Sequence, residues 1–159
     1  MIEHAAASYT VPEVLFYHLE RSPIEIVLPQ LLEKTLERGW RAVVQSGSAE
    51  RLDALNETLW NYRAESFLPH GTAKDGFCEL QPIFLTTGPD TPNGAAIRFL
   101  VDRADPASYV GFIRMVFLFD GADTEALSQA RAQWKAAKAA GCAATYWQQS
   151  AAGRWEKRA

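Results

Sequence analysis

The chain has 159 residues and a net charge of −3, and 48% of its residues are hydrophobic while 22% are charged. This length fits one domain with a buried core, and the composition is that of an ordinary globular protein, which argues against wholesale disorder. The densest apolar stretch, residues 110–119, is ten residues long and is interrupted by Arg114, so it is too short for a membrane span. Residues 1–13 lack the features of a signal peptide, and a cytoplasmic location is expected.

Charge is distributed unevenly along the chain. Residues 1–130 carry 10 basic and 18 acidic side chains, whereas residues 131–159 carry 6 basic side chains and 1 acidic side chain. The body is therefore expected to repel nucleic acid, and the C-terminal part to attract anions. Few of these cations alternate with aromatic residues, as a groove for single-stranded nucleic acid requires. An acidic protein segment is the better-matched partner.

Cysteine and histidine usage gives no metal or redox site. Cys78 and Cys142 could form at most one disulfide, and in the expected compartment both are predicted to be buried thiols. His70 and Cys78 are the only pair that resembles metal ligands, and a zinc site needs a second pair. We therefore predict neither a metal nor a cofactor.

Apolar periodicity and turn residues predict alternating strands and helices. Residues 1–13 show no periodicity and are expected to form a flexible leader, and residues 150–159 a frayed basic tail. Strands are predicted at 14–19, 40–45, 80–87, 96–101, 112–119 and 143–148, helices at 23–39, 49–62 and 124–141, one helical turn at 106–111 and a loop at 63–77. Because strand–helix–strand–helix order is typical of parallel βαβ units, we predict a single α/β domain over residues 14–149.

Capping signals mark the ends of the predicted helices. Ser22 is the expected cap of the first helix, with Pro23 at the first helical position, while Pro29 lies inside the helix and removes one backbone donor. The other predicted caps are Ser48 for the second helix and, for the third, Asp123 or Thr124 at its start and Gly141 at its end.

The turns after the first two predicted strands lack the residues of a nucleotide site. Residues 18–23 contain no glycine, and residues 46–48 contain one. Neither turn has the glycines that let a backbone approach a pyrophosphate, nor a Gly-Lys-Ser/Thr ending. There is no nucleophile elbow either, so no catalytic residue is predicted. A small α/β nucleotide-binding protein or enzyme stays as the alternative function.

The third predicted helix carries the main candidate binding surface. At about 100° per residue, its cations Arg131, Lys135 and Lys138 fall within an arc of roughly 60°. Leu127 and Trp134 border this cationic stripe. Such a surface could seat a peptide that is both acidic and apolar. The alternative is an ordinary solvated amphipathic helix whose lysines keep the protein soluble.

A loop with many large apolar side chains follows the second predicted helix. Loops normally lie on the surface, so these apolar side chains are either buried in the core or form a binding surface for a partner. Trp60 follows helical spacing, whereas Phe67, Leu68 and Pro69 have no periodicity that explains them. An exposed Trp and Phe cluster is the usual composition of a protein-interface hot spot.

Five segments, in chain order, carry a family pattern: FYHL, LEKTLERGWRAVV, RLDALNETLW, ESFLPHG and ARAQWKAAKAAG. Together they resemble the chi subunit of bacterial DNA polymerase III, over roughly residues 14–147. The resemblance implies a non-catalytic accessory subunit. It also implies a Rossmann-like three-layer sandwich, with a mostly parallel central sheet, helices on both faces and no nucleotide-binding glycine loop.

The resemblance further implies two protein partners, with DNA contacted only indirectly. Chi-type proteins pair with the psi subunit, which joins them to the clamp loader, so a monomer or a heterodimer with psi is expected. They also bind the acidic C-terminal tail of single-stranded DNA-binding protein, which ends in phenylalanine. By the motif match, the tail-binding residues are Arg131, Trp134 and Lys135, with Lys138 as a fourth and with Trp134 where the family usually has tyrosine. Upstream, at a position of another family cation, this sequence has Leu127 or Ser128, and Leu127 is expected to complete the tail-binding set. The implied psi-binding residues are Trp60, Phe67, Leu68 and Pro69.

Overall fold

A computed structural model of the protein describes residues 11–62 and 68–159, and within them eight strands form one sheet that carries three α-helices. The strands are β1 (Glu13–Leu19), β2 (Ala42–Ser46), β3 (His70–Thr72), β4 (Ile83–Thr86), β5 (Ile97–Val101), β6 (Arg114–Asp120), β7 (Ala143–Gln149) and β8 (Trp155–Lys157). The helices are α1 (Ile24–Glu37), α2 (Ala49–Trp60) and α3 (Thr124–Ala139). The predicted α/β class is confirmed. Most of the expected leader lies outside the described residues.

The sheet is mostly parallel, as predicted. Its strand order is β3-β4-β2-β5-β6-β1-β7-β8, and every neighbouring pair from β3 to β7 runs parallel. β8 joins β7 antiparallel. In this register Phe16 of β1 lies opposite Phe117 of β6 and Tyr146 of β7. Three aromatic rings therefore line up on one face of the sheet.

Helices cover both faces, which makes three layers. On the α1/α2 face, Leu28 and Leu32 of α1 and Leu55 of α2 pack with sheet residues such as Val44. On the α3 face the core is smaller and contains Ala137 together with Phe16, Phe117 and Met115 of the sheet. Both clusters consist of side chains that are almost fully removed from water, so both sides of the sheet contribute to stability.

The start of α1 differs from the capping prediction. Pro23 is the N-cap residue, and no side chain caps this helix. Ser22 instead accepts a hydrogen bond from Nε2 of Gln149 (3.1 Å), while Oε1 of Gln149 accepts from the backbone N–H groups of residues 20–22 at 3.2, 2.9 and 3.0 Å. A glutamine at the end of β7 thus satisfies the β1–α1 turn. Only the parallel pairing of β1 with β7 brings it there.

The start of α2 agrees with the prediction. The Ser48 side chain accepts a hydrogen bond from the backbone N–H of Arg51, which caps the first turn. The preceding Gly47 is required for space, since a Cβ there would overlap the backbone carbonyl of Asp102. Asp102 itself follows β5, so this turn is held against the end of a neighbouring strand.

Three internal segments differ from the sequence prediction. The expected loop at 63–77 contains β3 and a 3₁₀ turn (Ala73–Asp75), and a second 3₁₀ turn (Cys78–Leu80) delays β4 until Ile83. A three-residue edge strand is too short for a periodic signal. Residues 106–111 form bends and turns, and the predicted helical turn is absent from this described segment. Tyr109 and Phe112 instead pack against the α3-face core.

The C-terminal segment also differs, because the expectation of a frayed tail at 150–159 is wrong. Residues 150–154 turn the chain, and β8 pairs with β7 so that Trp155 lies opposite Gln149. The Trp155 ring packs edge-on against Tyr17, with 5.0 Å between ring centroids. A short basic segment favours fraying, but pairing with β7 and the one large apolar side chain attach this segment to the sheet.

The two cysteines occupy different environments, and both are free thiols. Cys142 is buried, as predicted, and burial raises the pKa of its thiol. Cys78 is only partly buried, because its 3₁₀ turn lies at the surface beside β4.

Among the described residues, no helix is long and apolar enough to cross a membrane.

Candidate peptide-binding face on the last helix

α3 is well defined at both ends. Asp123 Oδ1 accepts hydrogen bonds from the backbone N–H groups of Glu125 (3.0 Å) and Ala126 (3.2 Å), so Asp123 is the cap. Gly141, with a φ of +86°, takes the left-handed conformation after the helix. The face toward the sheet consists of the buried alanines Ala126, Ala130 and Ala137. Small side chains let the helix lie close to β1, β6 and β7, and they leave its larger residues on the outer side.

The cationic stripe faces solvent. Arg131, Lys135 and Lys138 are exposed, and Leu127 beside them is partly exposed. Within the described residues none of the three cations is in an ion pair. The acidic residues at the start of the helix are already occupied, because Arg103 binds Asp123 at 2.5 Å and Glu125 at 2.8 Å. The positive charge of the stripe is therefore available to an external anion.

Trp134 is the fixed apolar wall of this surface. Its ring lies 5.5 Å from Phe16 and 6.0 Å from Tyr146, both in edge-on geometry, and it is half-buried. The Nζ of Lys138 lies 5.5 Å from the same ring, within cation–π distance. A tryptophan held by two rings below it presents a preformed surface, which lowers the entropy cost of binding. The structure thus places Leu127, Arg131, Trp134, Lys135 and Lys138 on one accessible side of α3.

A hydrogen-bonded group beneath Trp134 was missed by the sequence analysis. The Tyr146 hydroxyl lies 2.7 Å from Nδ1 of His18, and His18 Nε2 lies 3.3 Å from a carboxylate oxygen of Glu20. Gln148 Nε2 donates to the same Glu20 oxygen at 2.8 Å. Since Glu20 only accepts, a neutral His18 donates from Nε2, and Nδ1 accepts from Tyr146. Tyr146 is thereby held against the underside of the candidate face.

Electrostatics link this group to the stripe. Burial raises the pKa of Tyr146, while the nearby positive charge of Arg131 acts to lower it. Burial also lowers the pKa of His18, against the opposing effects of the Glu20 and Asp120 carboxylates. Tyr146 and His18 carried a weak signal in sequence, because β7 and β1 are apolar strands whose pairing appears only in the tertiary structure. The register that puts Tyr146 beside Phe16 is what brings them under Trp134.

The second predicted surface is only partly assembled. Trp60 ends α2 with 58% of its surface exposed, and its ring lies 4.6 Å from that of His70. Nδ1 of His70 donates to the backbone carbonyl of Leu68 at 2.6 Å, and Pro69 is partly exposed. Leu68 is a core residue with 2% exposure, so its side chain is not at this surface. Phe67 lies outside the described residues.

The crevice at the carboxyl ends of β1, β2, β5 and β6 is the usual ligand site of α/β folds. A pocket of about 800 Å³ lies here. Arg21 at its edge is exposed, but the other two arginines are already paired, because Arg51 binds Asp102 (3.2 Å) and Glu25 (3.4 Å), and Arg103 binds two carboxylates at the start of α3. These two cations are therefore not available to a phosphate. No group of three or more potential metal ligands occurs in residues 11–62 and 68–159.

Comparison with known proteins shows the family of this chain. A protein of Rickettsia prowazekii (strain Madrid E) described as "Probable DNA polymerase III subunit chi" is 28% identical over 91 residues. The aligned residues cover 57% of this chain and 55% of that protein, so the match spans about half the length of this relative. The family model described as "DNA polymerase III chi subunit, HolC" matches residues 11–145, which is most of the chain. The chain therefore belongs to the DNA polymerase III chi subunit family.

Proposed function

We propose that this protein is a non-catalytic accessory subunit that links the psi subunit and the clamp loader to the acidic C-terminal tail of single-stranded DNA-binding protein. Membership of the chi family assigns it to the DNA polymerase III complex. The observation that carries the proposal is the exposed stripe of Arg131, Lys135 and Lys138, which has no acidic partner among the described residues and borders a fixed tryptophan. Lysines that only keep a protein soluble do not require a rigid aromatic side chain beside them.

The chemistry of the tail matches this surface. A peptide that ends in phenylalanine presents a ring and a free carboxylate. Arg131 can bind the carboxylate with two parallel hydrogen bonds, while Trp134 and Leu127 flank the ring. Lys135 and Lys138 attract the aspartates that precede it, which favours fast association that depends on salt. Because a flexible tail is ordered on binding, micromolar rather than nanomolar affinity is expected.

The test is fluorescence anisotropy of a labelled peptide that copies the tail, titrated with wild-type protein and with Arg131→Ala and Lys135→Ala. Loss of a charge-assisted hydrogen bond predicts roughly tenfold weaker binding for Arg131→Ala, and a smaller loss for Lys135→Ala. The matched control is Lys74→Ala, an exposed cation beside β3 at the far edge of the sheet. The control should bind as wild type does. Binding that is equal in all variants, or that does not change with salt, would contradict the proposal.

For the psi subunit we propose a surface around Trp60 and Pro69, with Phe67 as its third member. A half-exposed tryptophan is a common anchor of protein interfaces. Leu68 supports this surface from the core rather than touching a partner. Trp60→Ala should weaken binding of purified psi subunit by more than tenfold in isothermal titration calorimetry while the melting temperature stays near wild type. Leu68→Ala should do the opposite, lowering the melting temperature first. Equal psi affinity in Trp60→Ala and wild type would reject this surface.

A further inference from the structure

A second cationic pocket lies on the α1/α2 face, away from the stripe. It has a volume of about 190 Å³ and is formed by the last turns of α1, by Trp40 and by residues of β1, β5 and β6. Its lining combines three cations, Lys34, Arg38 and Arg114, with two aromatic residues, Tyr17 and Trp40. None of the described residues that line it carries a carboxylate. The pocket is therefore positive and aromatic, in a part of the chain whose overall charge is negative.

The Trp40 ring is the centre of this pocket. The guanidinium carbons of Arg38 and Arg114 lie 5.2 and 5.7 Å from its centroid. Arg114 is held by Glu13, whose carboxylate accepts from Nε at 2.9 Å. Lys34 and Arg38 are exposed, and neither pairs with an acidic side chain among the described residues. Arg114 is thus already paired with a carboxylate, whereas Lys34 and Arg38 are not.

Aromatic and basic side chains continue from the pocket across the sheet. Tyr17, which lines the pocket, contacts Trp155 at 5.0 Å between ring centroids. Tyr17 also lies opposite Trp147, and Trp147 lies opposite Lys157, so these side chains share one face. The three rings are partly exposed. On this face α1 packs mainly against β2 and β6, and α2 against β2 and β4, so these two helices cover β1, β7 and β8 less.

We propose that this cation–aromatic surface, centred on Trp40 and extending over Tyr17 and Trp155 to Lys157, binds single-stranded DNA. Proteins that bind single strands without sequence preference combine a positive groove with aromatic side chains on which bases stack. Here Trp40 and Trp155 supply the rings, and Lys34, Arg38 and Lys157 supply charges for phosphates. Such direct contact goes beyond the adaptor function, which reaches DNA only through another protein.

Size and shape favour a strand over other anions. The pocket is smaller than the 300–1,000 Å³ typical of small-molecule sites, so it can hold one base or one phosphate but not a whole nucleotide. The rest of the ligand must lie outside, along the exposed strands. The bases of a duplex are stacked on each other and cannot reach the rings. An acidic peptide would use the cations, but it would gain little from the aromatic surfaces.

The test uses the full chain with a labelled oligo-dT of roughly 15 nucleotides at low salt, without any other protein. We expect saturable binding with a dissociation constant on the order of 10–100 μM. The plot of log affinity against log salt should have a slope of about −2 to −3, as three or four phosphate contacts require. Circular dichroism and thermal melting of every variant would show whether it is folded.

Two variants test the two halves of the surface. Arg38→Glu combined with Lys157→Glu changes two exposed residues and should weaken binding by at least about tenfold. Trp40→Leu keeps an apolar side chain but removes the stacking surface, and should weaken binding by about fivefold or more. The matched controls are Lys74→Glu and Arg131→Glu, which should bind the oligonucleotide as wild type does.

Several outcomes would overturn the proposal. Absence of binding by folded wild-type protein would do so. Loss of binding in Arg131→Glu, with binding kept in the other variants, would also do so, because it would place the DNA-binding site on α3. Equal affinity for oligo-dT and poly-glutamate, with no effect of Trp40→Leu, would identify an acidic protein as the ligand. Competition by dTMP with the affinity of the oligonucleotide would identify a free nucleotide. None of these results depends on whether the tail peptide binds.

Discussion

At the scale of single residues, His18 connects the core to the candidate peptide-binding face. It lies at the end of β1 between the carboxylates of Glu20 and Asp120 and the hydroxyl of Tyr146. Burial lowers its pKa from the ordinary value of 6.5, so the folded protein favours the neutral ring. Neighbouring Gly121 has no side chain because a Cβ there would overlap this imidazole. The neutral ring, in turn, orients Tyr146 under Trp134.

This environment predicts a pH dependence of stability. As the pH falls below about 6.5, the imidazole of the unfolded chain binds a proton that the folded protein does not, so the free energy of unfolding decreases. Above that pH the contribution of His18 is fully present. Urea unfolding at about pH 7.5 and about pH 5.5 should show this decrease for wild type. His18→Gln should show a smaller decrease over the same interval. Parallel pH profiles for the two proteins would show that His18 is not the responsible group.

At the scale of secondary-structure elements, β8 shows how a three-residue strand is stabilised by its pairing with β7 and by one aromatic contact. Three residues are too few to form a strand alone, and isolated hairpins are marginal in water. The Trp155 ring packs against Tyr17 and the edge of the α1/α2-face core. The strand therefore depends on tertiary packing rather than on its own propensity.

Trp155→Ala should lower the free energy of unfolding by about 2 kcal/mol, since it removes a partly buried aromatic contact. Arg154→Ala, next to it and exposed, is the control and should change stability by less than about 0.5 kcal/mol. Chemical unfolding followed by circular dichroism measures both. Hydrogen exchange in β7 should also become faster in Trp155→Ala. A stability equal to wild type would show that the contact between Trp155 and Tyr17 does not stabilise β8.

At the scale of the whole molecule, the sheet order separates the proposed partner sites. α3 packs on β1, β6 and β7, whereas Trp60 contacts His70 in β3 at the other edge of the sheet. Three strands, β5, β2 and β4, lie between them. A rigid parallel sheet with cores on both faces offers no hinge between the two surfaces among the described residues.

Binding at the two surfaces should therefore be independent. The tail peptide should bind free protein and the psi complex with the same affinity. The effects of Trp60→Ala and Arg131→Ala on assembly of the three components should add within about 0.5 kcal/mol. Calorimetric titrations of the peptide, with and without saturating psi subunit, measure this directly. A several-fold change in peptide affinity on psi binding would show coupling between the two surfaces.

Local patterns predicted most of the elements. Strong periodic or capping signals located α2, with Ser48 as its cap, and α3, which Asp123 caps. The prediction is wrong where the local sequence signal is weak, or where a tertiary contact replaces the local one. β3 and β8 are three-residue edge strands, and Ser22 is bound by a glutamine from a distant strand. Local composition predicts a helical turn at 106–111, but Tyr109 and the following Phe112 pack against the core of the α3 face, and the segment is an irregular loop.

The amino-acid sequence by itself determined the α/β class, the absence of a glycine-rich phosphate loop, and the cationic stripe on α3. Each depends on residues close together in the chain, through helical spacing or turn composition. Only the tertiary structure decided what lies beneath and opposite that helix. The Tyr146–His18 pair under Trp134, the burial of Leu68 and the cation–aromatic surface all join residues from separate strands and helices. Such contacts are set by strand order and register, which no local pattern encodes.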